Sequence, residues 1–136
     1  MFIQLRKELY FSGMKIRIKG NSVRVRLSRS EVDKLAEDGR LEEKTEFVND
    51  VFIYALQAKE GISALEAGFE ANTMTMYIPA GIPQQWAANE TVGYSNNMEI
   101  GEGRQLFLLL EKDFKCIDAD VSEDQSDNFD NPLKAC

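Results

Sequence analysis

The feature that most constrains this chain is a pattern that occurs twice. Residues 14–19 and 23–27 alternate apolar with polar side chains around Gly20-Asn21, which is the signature of a β-hairpin. Ser28-Arg29-Ser30-Glu31 then sets a hydroxyl three residues before a carboxylate, and Val32, Leu35 and Ala36 follow at helical spacing up to Gly39. That is a capping box, an amphipathic turn and a left-handed stop, so the spacing predicts a helix over residues 29–38. Residues 41–48 and 51–58 read as a second hairpin with a two-residue loop, Asn49-Asp50.

A shift of 51 residues reproduces this order. Met14, Ile16 and Ile18 fall on Leu65, Ala67 and Phe69, and Val23, Val25 and Leu27 fall on Met74, Met76 and Ile78. Gly20-Asn21-Ser22 falls on Ala71-Asn72-Thr73, Leu35-Ala36 on Trp86-Ala87, and Leu41 and Phe47 on Val92 and Met98, with a slip of three residues at the last turn. Pro83 suits the first turn of a second short helix, and residues 92–100 and 104–112 supply the last two strands. Self-similarity at a fixed period marks repeated architecture. The expected fold is therefore α+β: a duplicated ββαββ unit, with repeats 14–58 and 65–112. It would form a mainly antiparallel sheet or open barrel of about eight strands, with two short helices on one face and a polar opposite face.

Residues 14–116 fit one domain, residues 1–13 read as an N-terminal extension, and residues 117–136 as an acidic flexible tail poor in apolar groups. No run is apolar for long enough to span a bilayer, and the opening residues do not match a secretory signal. The expectation is a cytoplasmic protein with no membrane partner. Two cysteines, Cys116 and Cys136, are too few for a disulfide framework. The chain contains no histidine, which removes the commonest general base and zinc ligand. Trp86 takes a helical core position.

Function is sought on the polar parity of the first hairpin, where Lys15, Arg17, Lys19, Arg24 and Arg26 share one face. Like charges set across strands destabilise a sheet, so these five need anionic neighbours or a ligand. One account supplies exposed cross-strand pairs to Glu42, Glu43, Glu46, Glu66 or Glu70. The other supplies an anion: the arginines would grip phosphate or carboxylate bidentately. On that account the protein is a noncatalytic binding module, without cofactor, for an anionic small molecule or an acidic protein segment. The alternative is an enzyme acting on polyphosphorylated substrates, with Glu66 and Glu70 holding Mg2+ or Mn2+. A net charge of −7 argues against nucleic acid as a partner.

The run from Met14-Lys15-Ile16-Arg17-Ile18-Lys19 through Gly20-Asn21-Ser22-Val23-Arg24-Val25-Arg26-Leu27, with Glu111-Lys112-Asp113-Phe114-Lys115-Cys116, resembles a family of small bacterial proteins that have no assigned activity. The likeness implies a bacterial, cytoplasmic setting. In architecture, a duplicated barrel with basic and acidic residues on its inner face is similar to the triphosphate-tunnel (CYTH) metalloenzymes. Those enzymes carry alternating glutamates on the first strand, where this chain has Lys15-Ile16-Arg17-Ile18-Lys19.

Overall fold

Wherever the sequence alternates, the backbone extends. The structure, a computed structural model, describes residues 13–114 and 127–130. The first hairpin is β1 (Lys15–Ile18) and β2 (Ser22–Leu27), and α1 (Arg29–Asp38) follows it. Next come β3 (Arg40–Glu46), β4 (Val51–Lys59), β5 (Glu66–Glu70) and β6 (Thr73–Pro79), then α2 (Ile82–Ala88), β7 (Gly93–Gly101) and β8 (Arg104–Lys112). Ala71 and Asn72 both take positive φ, as a two-residue hairpin turn of this hand requires. The loop between β3 and β4 is longer than expected. Glu46 pairs with Val51 and the Phe47 N–H donates to the Asp50 carbonyl, so four residues make the turn.

The eight strands do not form one sheet, nor do they close into a barrel. They divide into two four-stranded sheets, ordered β1-β2-β8-β7 and β3-β4-β6-β5. Each is mixed: β2 runs parallel to β8 and β4 parallel to β6, while the hairpin pairs are antiparallel. Each sheet therefore joins the first hairpin of one half of the chain to the second hairpin of the other. Period-two patterning could not reveal this, because it assigns a residue to a face and says nothing about which strand lies alongside.

Registers match between the sheets. Lys15 faces Arg26 and Glu66 faces Tyr77; across the parallel joins Val25 meets Leu110 and Met76 meets Leu56. Leu41 then pairs with Leu56, and Tyr94 with Leu110. The residue placed like Leu41 is thus Tyr94 and not Val92. A two-residue offset leaves every side chain on its own face, which is why the sequence alignment missed it.

The inner faces of both sheets feed one core. Val25, Leu27, Val32, Leu35, Leu56, Met76, Ile78, Trp86, Leu108 and Leu110 are its most buried members. The helices do not lie on one face of a common sheet; α1 and α2 pack against each other, with α1 also touching β2, β3 and β4, and α2 touching β6. Three bonds tie the sheets at their margins: Tyr54 Oη donates to the Met14 carbonyl at 2.9 Å, Asn96 Nδ2 to the Leu65 carbonyl at 2.8 Å, and the Ala67 N–H to Met98 Sδ at 3.4 Å. No helix among the described residues is long and apolar enough to cross a membrane.

The capping box forms as the sequence predicts, with Glu31 accepting from the Ser28 N–H at 2.9 Å and the Ser28 hydroxyl at 3.0 Å. Burial pushes the Glu31 carboxyl above its ordinary value of 4.5; the Ser28 bonds oppose the rise, and the charges of Glu43 and Asp127 add to it. A carboxyl whose pKa is raised by folding binds its proton more tightly in the native state, so its contribution to stability falls as pH rises from 4.5 through the raised value. Urea denaturation at stepped pH is expected to show that negative slope in the wild type. In Glu31→Gln, which keeps an acceptor for the cap but cannot titrate, this part of the slope is absent.

Candidate functional site

The polar parity of β1 and β2 gathers the five predicted cations on the outer face of the first sheet. Lys15 lies opposite Arg26 and Arg17 opposite Arg24, so both antiparallel pairs set like charge against like charge. Lys19 follows at the turn, where its carbonyl accepts from the Ser22 hydroxyl at 2.6 Å. Side chains directly opposed on one face sit about 5 Å apart at Cβ, close enough for repulsion to matter unless something answers it.

Two carboxylates that sequence reasoning did not consider as partners of these cations provide part of the answer. The Glu111 carboxylate accepts from Arg24 and, at 3.0 Å, from Arg26 Nε, with its own side chain only 15% exposed. Asp113 Oδ2 stands 2.7 Å from Lys15 Nζ. Both follow from the parallel join, which places Arg26 beside Glu111 and brings the end of β8 to the first hairpin. Only the alternation of Phe107, Leu109 and Glu111 on one parity hinted at this. Among the described residues, the side chains of Arg17 and Lys19 have no carboxylate partner.

The glutamates first considered as partners lie elsewhere. Glu42 pairs with Arg40 at 2.9 Å, and Glu66 Oε1 is 3.6 Å from Lys59 Nζ. Glu43 lines a separate acidic groove with Glu31 and Asp127. Glu66 and Glu70 both belong to β5, in the second sheet. Four residues of strand separate their Cα atoms by about 13 Å, so both side chains would have to lean along the strand toward one another to share a cation. Among the described residues, no group of three or more metal-ligating side chains converges.

The cationic face is recessed. A groove of about 270 Å³ is lined by Arg17, Lys19, Ser22, Val23, Arg24, Phe107 and Leu109. A second, of about 190 Å³, is lined by Lys15, Ile16, Arg17, Arg24 and Arg26. The opposed pair Arg17 and Arg24 lines both. Chemically the recess offers guanidinium forks suited to phosphate or carboxylate oxygens, and an apolar floor on one side.

Residues 127–130 come back to the start of α1. The Arg29 N–H donates to the Asp127 carbonyl at 2.9 Å, and the Ser30 hydroxyl to Asp127 Oδ2 at 2.5 Å. The Phe129 N–H donates to the Asp113 carbonyl at 2.8 Å, and its ring lies edge-on to Phe114, with Arg29 and Lys112 each 4.8 Å from its centroid. Acidic composition hid Phe129 and the buried Asn128, which join Asp127 in seating this stretch against the domain. Cys116, Cys136 and the carboxylates from Asp118 to Asp124 lie outside the described residues.

No curated protein and no solved structure matches this chain. A family model does, over residues 14–133, and it contains both the cationic hairpin and the strand that answers it. The chain belongs to that family, a family of unknown function, DUF7009.

Proposed function

We propose that the outer face of the first sheet is a noncatalytic binding surface for an anionic ligand, carried on a duplicated ββαββ domain. The duplication is supported by the shared strand order, the matching hairpin registers and the equivalent parallel joins of the two sheets. It also gives the cationic face a counterpart for comparison. Where the first sheet has Lys15, Arg17, Arg24 and Arg26, the second has Glu66, Gly68, Thr75 and Tyr77 in the same register. Packing within the fold therefore does not require cations at these positions.

The observation that carries the reading is the opposed pair Arg17 and Arg24 at the shared edge of two grooves. Glu111 answers Arg24, and no carboxylate among the described residues answers Arg17 or Lys19. An anion seated there would relieve the repulsion and draw on charge-assisted hydrogen bonds. Thermal unfolding with pyrophosphate or tripolyphosphate, at ionic strength matched with sodium chloride, tests this. Ligand at about a hundred times its Kd adds about 2.7 kcal/mol, a rise on the order of 10 °C in the midpoint for a domain of this size. The rise is expected to vanish in the Arg17→Ala/Arg24→Ala double variant. A wild-type midpoint that moves no further than the chloride control would overturn the reading.

Glu111→Gln gives an independent check, with opposite signs in two measurements. Losing the carboxylate of this partly exposed charge network costs about 1 kcal/mol of unliganded stability. Because the arginines lose their internal counter-charge, polyanion affinity is expected to rise in the same variant.

A further inference from the structure

The apolar floor of the cationic recess narrows the ligand. Phe107 is 39% exposed on the outer face of a central strand, where water covers it unless a ligand does. It stands beside Ser22 in the parallel register and opposite Asn97 in the antiparallel one. In the neighbouring row the order across the sheet is Arg17, Arg24, Leu109, Ser95. Crossing from β1 to β7, the surface therefore changes from cationic, to apolar and aromatic, to neutral hydrogen-bonding.

We propose that this face binds a nucleotide-like small molecule, its phosphate held by Arg17 and Arg24 and its ring laid over Phe107. The proposal rests on the anion-binding reading and adds a body to the anion. Four strands at their usual spacing put about 14 Å between the outermost rows, room for a phosphate, a sugar and a base placed end to end. Guanidinium forks match phosphate oxygens bidentately. The exposed ring offers a π-face that any base can stack on, and Asn97 offers both a donor and an acceptor to the base edge. Inorganic phosphate would use the cations and leave Phe107 and Leu109 in water. A peptide offering carboxylates alone would likewise leave the ring uncovered.

Isothermal titration calorimetry at fixed ionic strength with adenosine monophosphate, ribose 5-phosphate and pyrophosphate tests the proposal. The ring-bearing phosphate is expected to bind about tenfold more tightly than the ringless sugar phosphate, the margin set by one stacked base. Phe107→Ala is expected to abolish that margin and leave ribose 5-phosphate affinity unchanged. Phe107→Leu, which keeps the apolar cover but removes the ring, is expected to lose most of it, guarding against a folding defect in the smaller variant. Equal affinity for the two monophosphates, or a margin that survives both variants, overturns the nucleotide assignment while pyrophosphate binding preserves the anion-binding reading. If pyrophosphate also fails to bind, both fall.

Discussion

Trp86→Ala is expected to lower the unfolding free energy by about 3 to 5 kcal/mol, the range for truncating a buried tryptophan. Trp86 is fully buried on α2, its ring meets Tyr94 edge-on with centroids 5.5 Å apart, and Nε1 donates to the Thr91 carbonyl at 2.7 Å. Lys112 Nζ lies 5.7 Å from the ring centroid and donates to the Asn89 carbonyl at 2.7 Å. One side chain thus joins α2, the turn after it, β7 and the end of β8. Alanine would open a cavity at that junction and leave the Thr91 carbonyl without its donor. Chemical denaturation read by circular dichroism measures the loss; a change below about 1 kcal/mol would show that the junction collapses around the gap and that Trp86 is not a keystone. Trp86→Phe keeps most of the volume and removes the hydrogen bond, so it should fall between the two.

Gly93→Val is expected to cost about 3 kcal/mol, although strand propensity alone predicts a gain. The reason is space. A Cβ on Gly93 would run into the Leu110 carbonyl oxygen and come within 2.8 Å of Glu111 Cβ and 2.9 Å of Glu111 Cα. Two of those three atoms are backbone of a central strand, which cannot move aside without disturbing the β2–β8 join. Gly93 does not take the positive φ that marks six other glycines, so the penalty cannot be assigned to backbone conformation. Since Glu111 answers Arg24 and Arg26, the variant should also alter polyanion binding. Equilibrium unfolding of Gly93→Val beside Gly68→Val, at a strand glycine whose Cβ meets nothing within 4 Å, separates crowding from any general effect of valine. A stabilised Gly93→Val protein would refute the close approach.

How much of this was written in the sequence depends on the range of the interaction. Hairpins, the capped helix 29–38 and the proline-started second helix are local, and alternation, cap chemistry and Pro83 were sufficient to locate them. The partition into two sheets was not local. Val25 beside Leu110 and Leu56 beside Met76 are apolar pairs that many other partners would satisfy equally well. For the same reason the five cations were found together, as their shared parity implied, while Glu111 and Asp113 were overlooked in favour of glutamates that lie in the other sheet or the acidic groove. The tail was judged by its average composition, and averages conceal a single aromatic residue such as Phe129.

The parallel joins have a consequence for synthesis. A chain emerging from its N-terminus makes β2 more than eighty residues before β8 is available, as the bond from Asn21 Nδ2 to the Gln105 carbonyl, 84 positions apart, illustrates. Until then Val23 and Val25 have one strand neighbour instead of two, and the edge that awaits β8 is open to any extended polypeptide nearby. Closing so long a loop is slow. The nascent first hairpin is therefore a segment that a chaperone would protect, and β8, the last strand among the described residues, is the one that ends its exposure.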